Sequence, residues 1–69
     1  MRLSARNQLP GTVVAVQQGA VMSTVVIRLE GGQEVVAAIT KDAADTLELA
    51  EGDAVTAVIK ATEVMVGKE

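Results

Sequence analysis

The sequence predicts a small all-β barrel of five short strands with one brief helix. Runs of valine, isoleucine and threonine alternate with turn residues over most of the 69 positions, which is typical of short strands. One acidic stretch behind a threonine has the length of a two-turn helix. The chain is too short for a second domain, so we expect residues 1–69 to form a single one.

The first half of the chain contains three predicted strands. Pro10-Gly11 is predicted to be a turn or bend before the first strong strand, Thr12–Gln17, and the opening residues are compatible with a short edge strand of their own. The second strand is Val21–Leu29. The paired glycines of Glu30–Gln33 predict a hairpin turn into the third strand, Glu34–Ile39. Apolar residues alternate in the second and third strands, and again in the fourth described below, so one face of each is expected to pack inward. That face contains Val25 and Ile27 in the second strand and Ala57 in the fourth.

The second half contains the predicted helix and two further strands. Thr40 is the expected N-cap of a helix over Lys41–Leu47. A turn at residues 51–53 then leads to the fourth strand, Ala54–Ala61, and the last short strand is Glu63–Val66. A helix between the third and fourth of five strands is the element order of an OB-like Greek-key barrel.

Composition predicts that this barrel assembles with copies of itself. A chain of 69 residues buries too little surface to be more than marginally stable alone. It has no cysteine and no histidine, so we expect neither disulfides nor a bound metal cation. Because 49% of its residues are hydrophobic and both faces of several strands are apolar, burial against neighbouring subunits is expected.

The same composition excludes several classes of function. A net charge of −3 and the absence of aromatic residues predict that the chain has no nucleic-acid partner, because such binding uses basic residues and stacking. The chain has no histidine, cysteine or tyrosine to act as base or nucleophile, so we expect no enzyme. It has no secretory segment and no apolar run of membrane length, which predicts a cytoplasmic protein without a membrane partner.

The polar opening segment Ser4–Gln8 predicts the binding of a small anion, since it concentrates hydrogen-bond donors in an otherwise apolar chain. Donors from two further segments are expected to contribute. The three groups are Ser4 with Arg6, Thr40 with the amides of Asp42 and Ala43, and Lys60. A pocket that contains only donors favours a fully ionised tetrahedral dianion.

Each of these residues also has a purely structural interpretation. Ser4 and Arg6 are compatible with a solvated N-terminal tail. Thr40 is explained by helix capping alone, and Lys60 by protection of a strand edge. The carboxylate of Asp42 would repel an anion unless it points away.

A family resemblance adds to this pattern. The segment Ser4–Gly11, followed by Ala38–Lys41 and by Thr56–Ala61, resembles the molbindins, the small Mop-type proteins that bind molybdate and tungstate. The likeness extends over essentially the whole chain. It implies an OB-like barrel that assembles as a homohexamer, a trimer of dimers, with oxyanions held between subunits.

The resemblance also implies roles for individual residues. Ser4 and Arg6 match the family's opening anion ligands, Thr40 and the backbone amide of Ala43 match its ligands at the helix start, and Lys60 matches the basic ligand contributed across the interface. The half formed by Thr40, Ala43 and Lys60 is therefore expected to come from another subunit than Ser4 and Arg6. Some relatives have a serine where this chain has Ala43, so only a main-chain contact carries over there. The family further suggests a second site near the three-fold axes, formed by main-chain groups of Gly19, Ala20 and Val21.

The function implied is intracellular binding and storage of molybdate or tungstate, without a chemical reaction or an organic cofactor. Sulfate is the competing ligand, because it has the same charge and shape. The alternative is an oligomeric interaction module that senses an oxyanion and docks a regulator or transporter.

Overall fold

The chain forms one four-stranded antiparallel sheet with a single short helix. A computed structural model describes residues 1–69, and the strand order in the sheet is β3-β2-β1-β4. The elements are β1 Asn7–Gln18, β2 Met22–Leu29, β3 Glu34–Thr40, α1 Lys41–Thr46, β4 Ala54–Ile59 and a 3-10 turn Ala61–Glu63. The all-β class with one short helix is confirmed. No helix is long and apolar enough to cross a membrane.

Strand β1 is longer than predicted and continues through Pro10-Gly11 without interruption. The prediction of a turn at these residues is therefore wrong. Pro10 lies opposite Thr56 of β4, whereas pairing with β2 begins only at Gly11. The missing N–H of proline is tolerated because one edge of β1 is free at this point. A Cβ atom on Gly11 would lie 2.7 Å from the carbonyl oxygen of Arg28, so glycine permits the close approach of β2.

A β-bulge bends β1, which pairs with β4 along one edge and with β2 along the other. Val13 pairs with Ile27, but Ala15 pairs with Val26, so one extra residue is accommodated at Val14. Such a bulge increases the local twist. The first half of β1 therefore pairs with β4 and the second half with β2, and the sheet curls around a common interior.

The core is small and lies on the predicted inward faces. Its fully buried members are Val13, Val25, Ile27 and Ala57, which come from the three strands β1, β2 and β4. Only 6 of the 69 residues are buried. The alternation predicted for β2, β3 and β4 is thus confirmed, while much of the apolar content stays outside the core.

Helix α1 begins where the sequence predicts it. The Thr40 hydroxyl accepts a hydrogen bond from the backbone N–H of Ala43 over 3.0 Å, which is the geometry of an N-cap. Ala44 is the buried residue of the helix itself, with 3% of its surface exposed. The helix ends at Thr46, and Leu47 is its C-cap.

The fifth predicted strand does not form in the chain. Strand β4 ends at Ile59, and the 3-10 turn separates it from Val64–Val66, which pairs with no strand. Strand propensity alone does not create a strand, because a ladder needs a free partner edge in reach. The sheet is consequently open between β3 and β4.

Candidate functional site

Two of the predicted basic ligands adjoin the same end of the β1–β4 ladder. Asn7 and Ile59 are its last pair, so Arg6 directly precedes the ladder and Lys60 directly follows it. Lys60, which was expected from another subunit than Arg6, is thus attached to the same end of the sheet within one chain. The side-chain amide of Asn7 donates to the Ile59 carbonyl over 3.1 Å and fixes the ladder next to this pair. Arg6 and Lys60 are both exposed. Residues 52 or more apart in sequence are thus brought together within one chain.

No carboxylate neutralises this pair of cations. The two ion pairs of the chain involve other side chains, Arg28 with Glu34 and Lys41 with Asp45, each at 2.8 Å. Arg6 and Lys60 are therefore exposed cations without a carboxylate partner, and their donors remain available for charge-assisted hydrogen bonds.

Ser4 precedes this pair, on an exposed bend of the chain. We call Ser4, Arg6 and Lys60 the basic end. The Gln8 side chain donates to the Ala5 carbonyl over 3.0 Å, so it shapes the backbone around Arg6. The side-chain amides of Asn7 and Gln8, counted among the donors of the opening segment, thus each use one N–H for a structural partner and keep only the second N–H for a ligand.

The other predicted donors lie at the start of α1, which we call the helix end and define by Thr40 and Ala43. The Ala43 N–H is already donated to the Thr40 hydroxyl, and the Lys41 N–H is donated to the Val21 carbonyl over 2.7 Å. Because Thr40 accepts through a lone pair, its own hydroxyl hydrogen stays available as a donor. The helix end offers this hydroxyl directly, and the Ala43 amide only if it is shared with an anion.

Lys41 is next to Thr40 but is already engaged. Its Nζ donates to a carboxylate oxygen of Asp45 over 2.8 Å, one helical turn away. This hydrogen bond, followed by the charge of Asp45, raises the pKa of Lys41 above its ordinary value, and Asp42 adds a smaller contribution in the same direction. The positive charge of Lys41 is therefore balanced within the helix.

The basic end and the helix end lie at opposite ends of β1. The basic end flanks Asn7, where β1 starts. Thr40 pairs with Met22 at the start of β2, beside the last residues of β1. Twelve strand residues separate the two ends, a contour length on the order of 35 Å at about 3.3 Å per residue. A single oxyanion cannot contact both ends of one chain.

The turn predicted from family resemblance to form a second site adjoins the helix end. Gly19 donates its N–H to the Met22 carbonyl over 2.9 Å, and the Val21 carbonyl accepts from Lys41. Ala20 and Val21 are exposed. The main-chain groups of this turn that lack partners are therefore the carbonyl of Gly19, both groups of Ala20 and the amide of Val21.

Two features were not predicted from the sequence. The first is an apolar groove of about 470 Å³ between β3 and β4, which exists because the fifth strand is absent. The second is Ser23, whose side-chain oxygen is buried and has no hydrogen-bond partner. The sequence did contain a signal for the burial of Ser23. It lies two residues before Val25 and therefore on the same, inward face of β2.

Known proteins are similar to this chain over almost its whole length. A family model of the TOBE domain matches residues 3–66. The molybdenum-pterin-binding protein 3 of Clostridium pasteurianum is 48% identical over 66 residues, which cover 96% of this chain and 97% of that protein. The molybdenum transport protein ModE of Herbaspirillum seropedicae is 56% identical over 64 residues, 93% of this chain, but the match spans only 24% of ModE.

Solved structures show the same architecture. A molybdate-binding protein from Sporomusa ovata superimposes with a TM-score of 0.92 at 47% identity, covering 99% of this chain and 100% of that one. The cytoplasmic molybdate-binding protein ModG, with molybdate bound, gives a TM-score of 0.85 at 48% identity over 88% of this chain and 43% of ModG. The chain therefore belongs to the TOBE-domain family, among the small molybdenum-pterin-binding proteins of the Mop type, the molbindins.

Proposed function

We propose that the chain, acting as a single Mop-type domain over residues 1–69, binds molybdate or tungstate reversibly at the interfaces of a homohexamer arranged as a trimer of dimers. Ser4, Arg6 and Lys60 of one copy face Thr40 and the Ala43 amide of another. The protein serves intracellular storage and homeostasis of the anion, in the cytoplasm. It performs no chemical reaction and uses no organic cofactor.

The observation that carries this proposal is the separation of the two donor sets along β1. Arg6 and Lys60 form an unneutralised pair of cations, while the Thr40 hydroxyl lies at the far end of the strand. Neither set encloses an anion alone. When they meet across an interface, they supply two charges and two hydroxyls, and no acceptor that would need a protonated ligand.

The relatives support the choice of ligand. The Sporomusa ovata protein is a molybdate binder that matches this chain from end to end, and ModG has been solved with molybdate bound. Tungstate has the same charge and shape, and sulfate is smaller. We expect the cavity between subunits to be sized for the larger anions.

Calorimetry with the intact protein tests the ligand. Molybdate and tungstate are expected to bind tightly and to the same number of sites, whereas sulfate at equal concentration releases little heat. Tight sulfate binding without a molybdate signal would contradict the proposal. Native mass spectrometry of the same sample reports the number of subunits and of bound anions together.

The similarity to ModE favours a second candidate function. ModE is a transport protein in which the matching region is about a quarter of the length, so a domain of this type occurs attached to other domains. The chain would then be an interaction module that docks a regulator or transporter when the anion is bound. Pull-down of one defined partner only in the presence of molybdate would favour this function over storage.

A further inference from the structure

Met22 is a half-exposed methionine directly opposite Thr40. The two residues form a pair in the antiparallel ladder of β2 and β3, so their side chains project from the same face of the sheet, with Cβ atoms about 5 Å apart. The next pair, Ser23 with Ile39, projects from the other face, and Ser23 is only 1% exposed. Met22 and Thr40 therefore lie together on the outer face of the sheet.

Backbone hydrogen bonds hold Met22 in this position. Its carbonyl accepts from the N–H of Gly19 over 2.9 Å, and the Val21 carbonyl, one residue earlier, accepts from the N–H of Lys41 over 2.7 Å. Thr40 is fixed in turn as the N-cap of α1. The backbone of Met22 is thus tied on both sides next to the hydroxyl that the helix end offers to an anion.

Met22 presents apolar surface beside the Thr40 hydroxyl. It has 49% of its surface exposed and is not part of the core cluster. The next outward pair of the same ladder is Thr24 with Ala38, which is exposed and carries no charge. On this side of Thr40, the sheet therefore offers one apolar side chain with a polarisable sulfur and no charged group.

We propose that Met22 determines the anion specificity of the helix end; this inference rests on the proposed function. An anion that accepts from the Thr40 hydroxyl lies against the Met22 side chain and loses hydration water there. A smaller anion of the same charge holds its water more strongly, so this loss costs sulfate more than molybdate or tungstate. The polarisable sulfur also makes stronger dispersion contacts with the larger anions. Met22 thereby favours molybdate and tungstate over sulfate.

Substitution of Met22 tests this role through the ratio of molybdate affinity to sulfate affinity, measured by calorimetry with sulfate as a competitor. Met22→Gln keeps the length of the side chain but ends in an amide, which can donate to any of these anions. The ratio is expected to fall about 10-fold. Met22→Leu keeps an apolar side chain of similar volume, so its ratio should stay within about 2-fold of the natural one. An unchanged ratio in Met22→Gln, or an equal fall in Met22→Leu, would overturn the proposal.

Met65→Gln is the matched control, because it makes the same substitution at a methionine that is 93% exposed and lies outside the sheet. Its ratio is expected to equal that of the natural chain, and an equal fall in both glutamine variants would overturn the role of Met22. The natural chain separates this inference from the proposed function. If it does not bind molybdate, both fail. If it prefers molybdate and Met22→Gln does so to the same extent, only this inference fails.

Methionine oxidation gives a second measurement that needs no substitution. Chloramine-T converts accessible methionines to sulfoxides, and peptide mass spectrometry reports the rate at each of them. Molybdate is expected to slow the oxidation of Met22 several-fold, because the bound anion covers its sulfur, while the rate at Met65 stays the same. Sulfate at the same concentration should slow neither. Equal Met22 rates with and without molybdate, in a protein that binds molybdate, would overturn the proposal.

Discussion

The two ends of β1 present different kinds of hydrogen-bond donor. At the basic end, Arg6 and Lys60 carry positive charges that no carboxylate neutralises. At the helix end, Thr40 presents a neutral hydroxyl, and the charge of Lys41 is balanced by Asp45. In the proposed site, the basic end would supply charge and the helix end would supply orientation. Both are needed around one anion, which is why assembly and binding are linked in our proposal.

The largest expected effect follows from removing the charge of the basic end. In the double variant Arg6→Ala, Lys60→Ala, molybdate affinity is expected to fall more than about 100-fold, since each charge-assisted hydrogen bond contributes about 1.5–3 kcal/mol. Calorimetry measures the affinity, and native mass spectrometry is expected to show an unchanged oligomer. Arg28→Ala is the matched control, because Arg28 is an exposed arginine paired with Glu34. Equal molybdate affinity of the double variant and the control would show that the basic end does not bind the anion.

A smaller loss is expected at the helix end. Thr40→Ala removes one neutral donor and the N-cap, so affinity should fall about 10-fold, and the free energy of unfolding should drop by about 1 kcal/mol. Thr40→Ser keeps the hydroxyl and should restore both values. Chemical denaturation and calorimetry on the same samples separate the two effects. A Thr40→Ala variant that is destabilised but binds molybdate normally would show that Thr40 acts only as the N-cap of the helix.

A modest gain is expected when the nearest negative charge is neutralised. Asp42 follows Thr40 by two residues in the first turn of α1. Asp42→Asn should raise molybdate affinity about 2- to 5-fold by removing repulsion at a partly solvated site. Asp45→Asn would free Lys41 but leave Asp42 in place, which makes it a useful comparison. Weaker binding by Asp42→Asn would show that the carboxylate supports the site instead of opposing it.

The smallest effect on binding is expected at Ser23, which is buried below the helix end of the sheet without a hydrogen-bond partner. Ser23→Ala should leave molybdate affinity unchanged and should raise the free energy of unfolding by about 1 kcal/mol, because it removes a buried unsatisfied hydroxyl. Urea denaturation measures this change. A loss of stability would mean that the hydroxyl has a partner in the assembled protein.

Local patterns predicted much of the fold. Alternation identified the inward residues Val25, Ile27 and Ala57, and the threonine before an acidic turn identified the helix start at Thr40. Pro10-Gly11 was misjudged because these residues usually mark turns. Whether Pro10-Gly11 forms a turn or part of β1 depends on which edges of the strand are free and on how closely the Arg28 backbone approaches Gly11. Such information arises only from the tertiary arrangement.

For the candidate site, residue types and family resemblance pointed to Arg6 and Lys60, and this choice stays a prediction. The register of β1 with β4 adds that both residues adjoin the same end of the ladder. The sequence did not show that Asn7 and Gln8 are engaged by the backbone. Nor did it show that the fifth strand would be missing from the single chain, since a strand depends on a partner edge as well as on its own residues.

Mixed oligomers give the most direct test of a site shared between copies. A chain with Arg6→Ala and Lys60→Ala is co-expressed with a differently tagged chain with Thr40→Ala, and hybrids are isolated by both tags. If each site combines the basic end of one copy with the helix end of another, about one quarter of the sites in random hybrids regain both natural ends. Calorimetry should then detect this fraction of sites with the natural affinity, which neither parent has, because the Thr40→Ala parent binds about 10-fold more weakly and the other parent more weakly still. Hybrids with no tight sites would show that each site lies within one chain and would contradict the account.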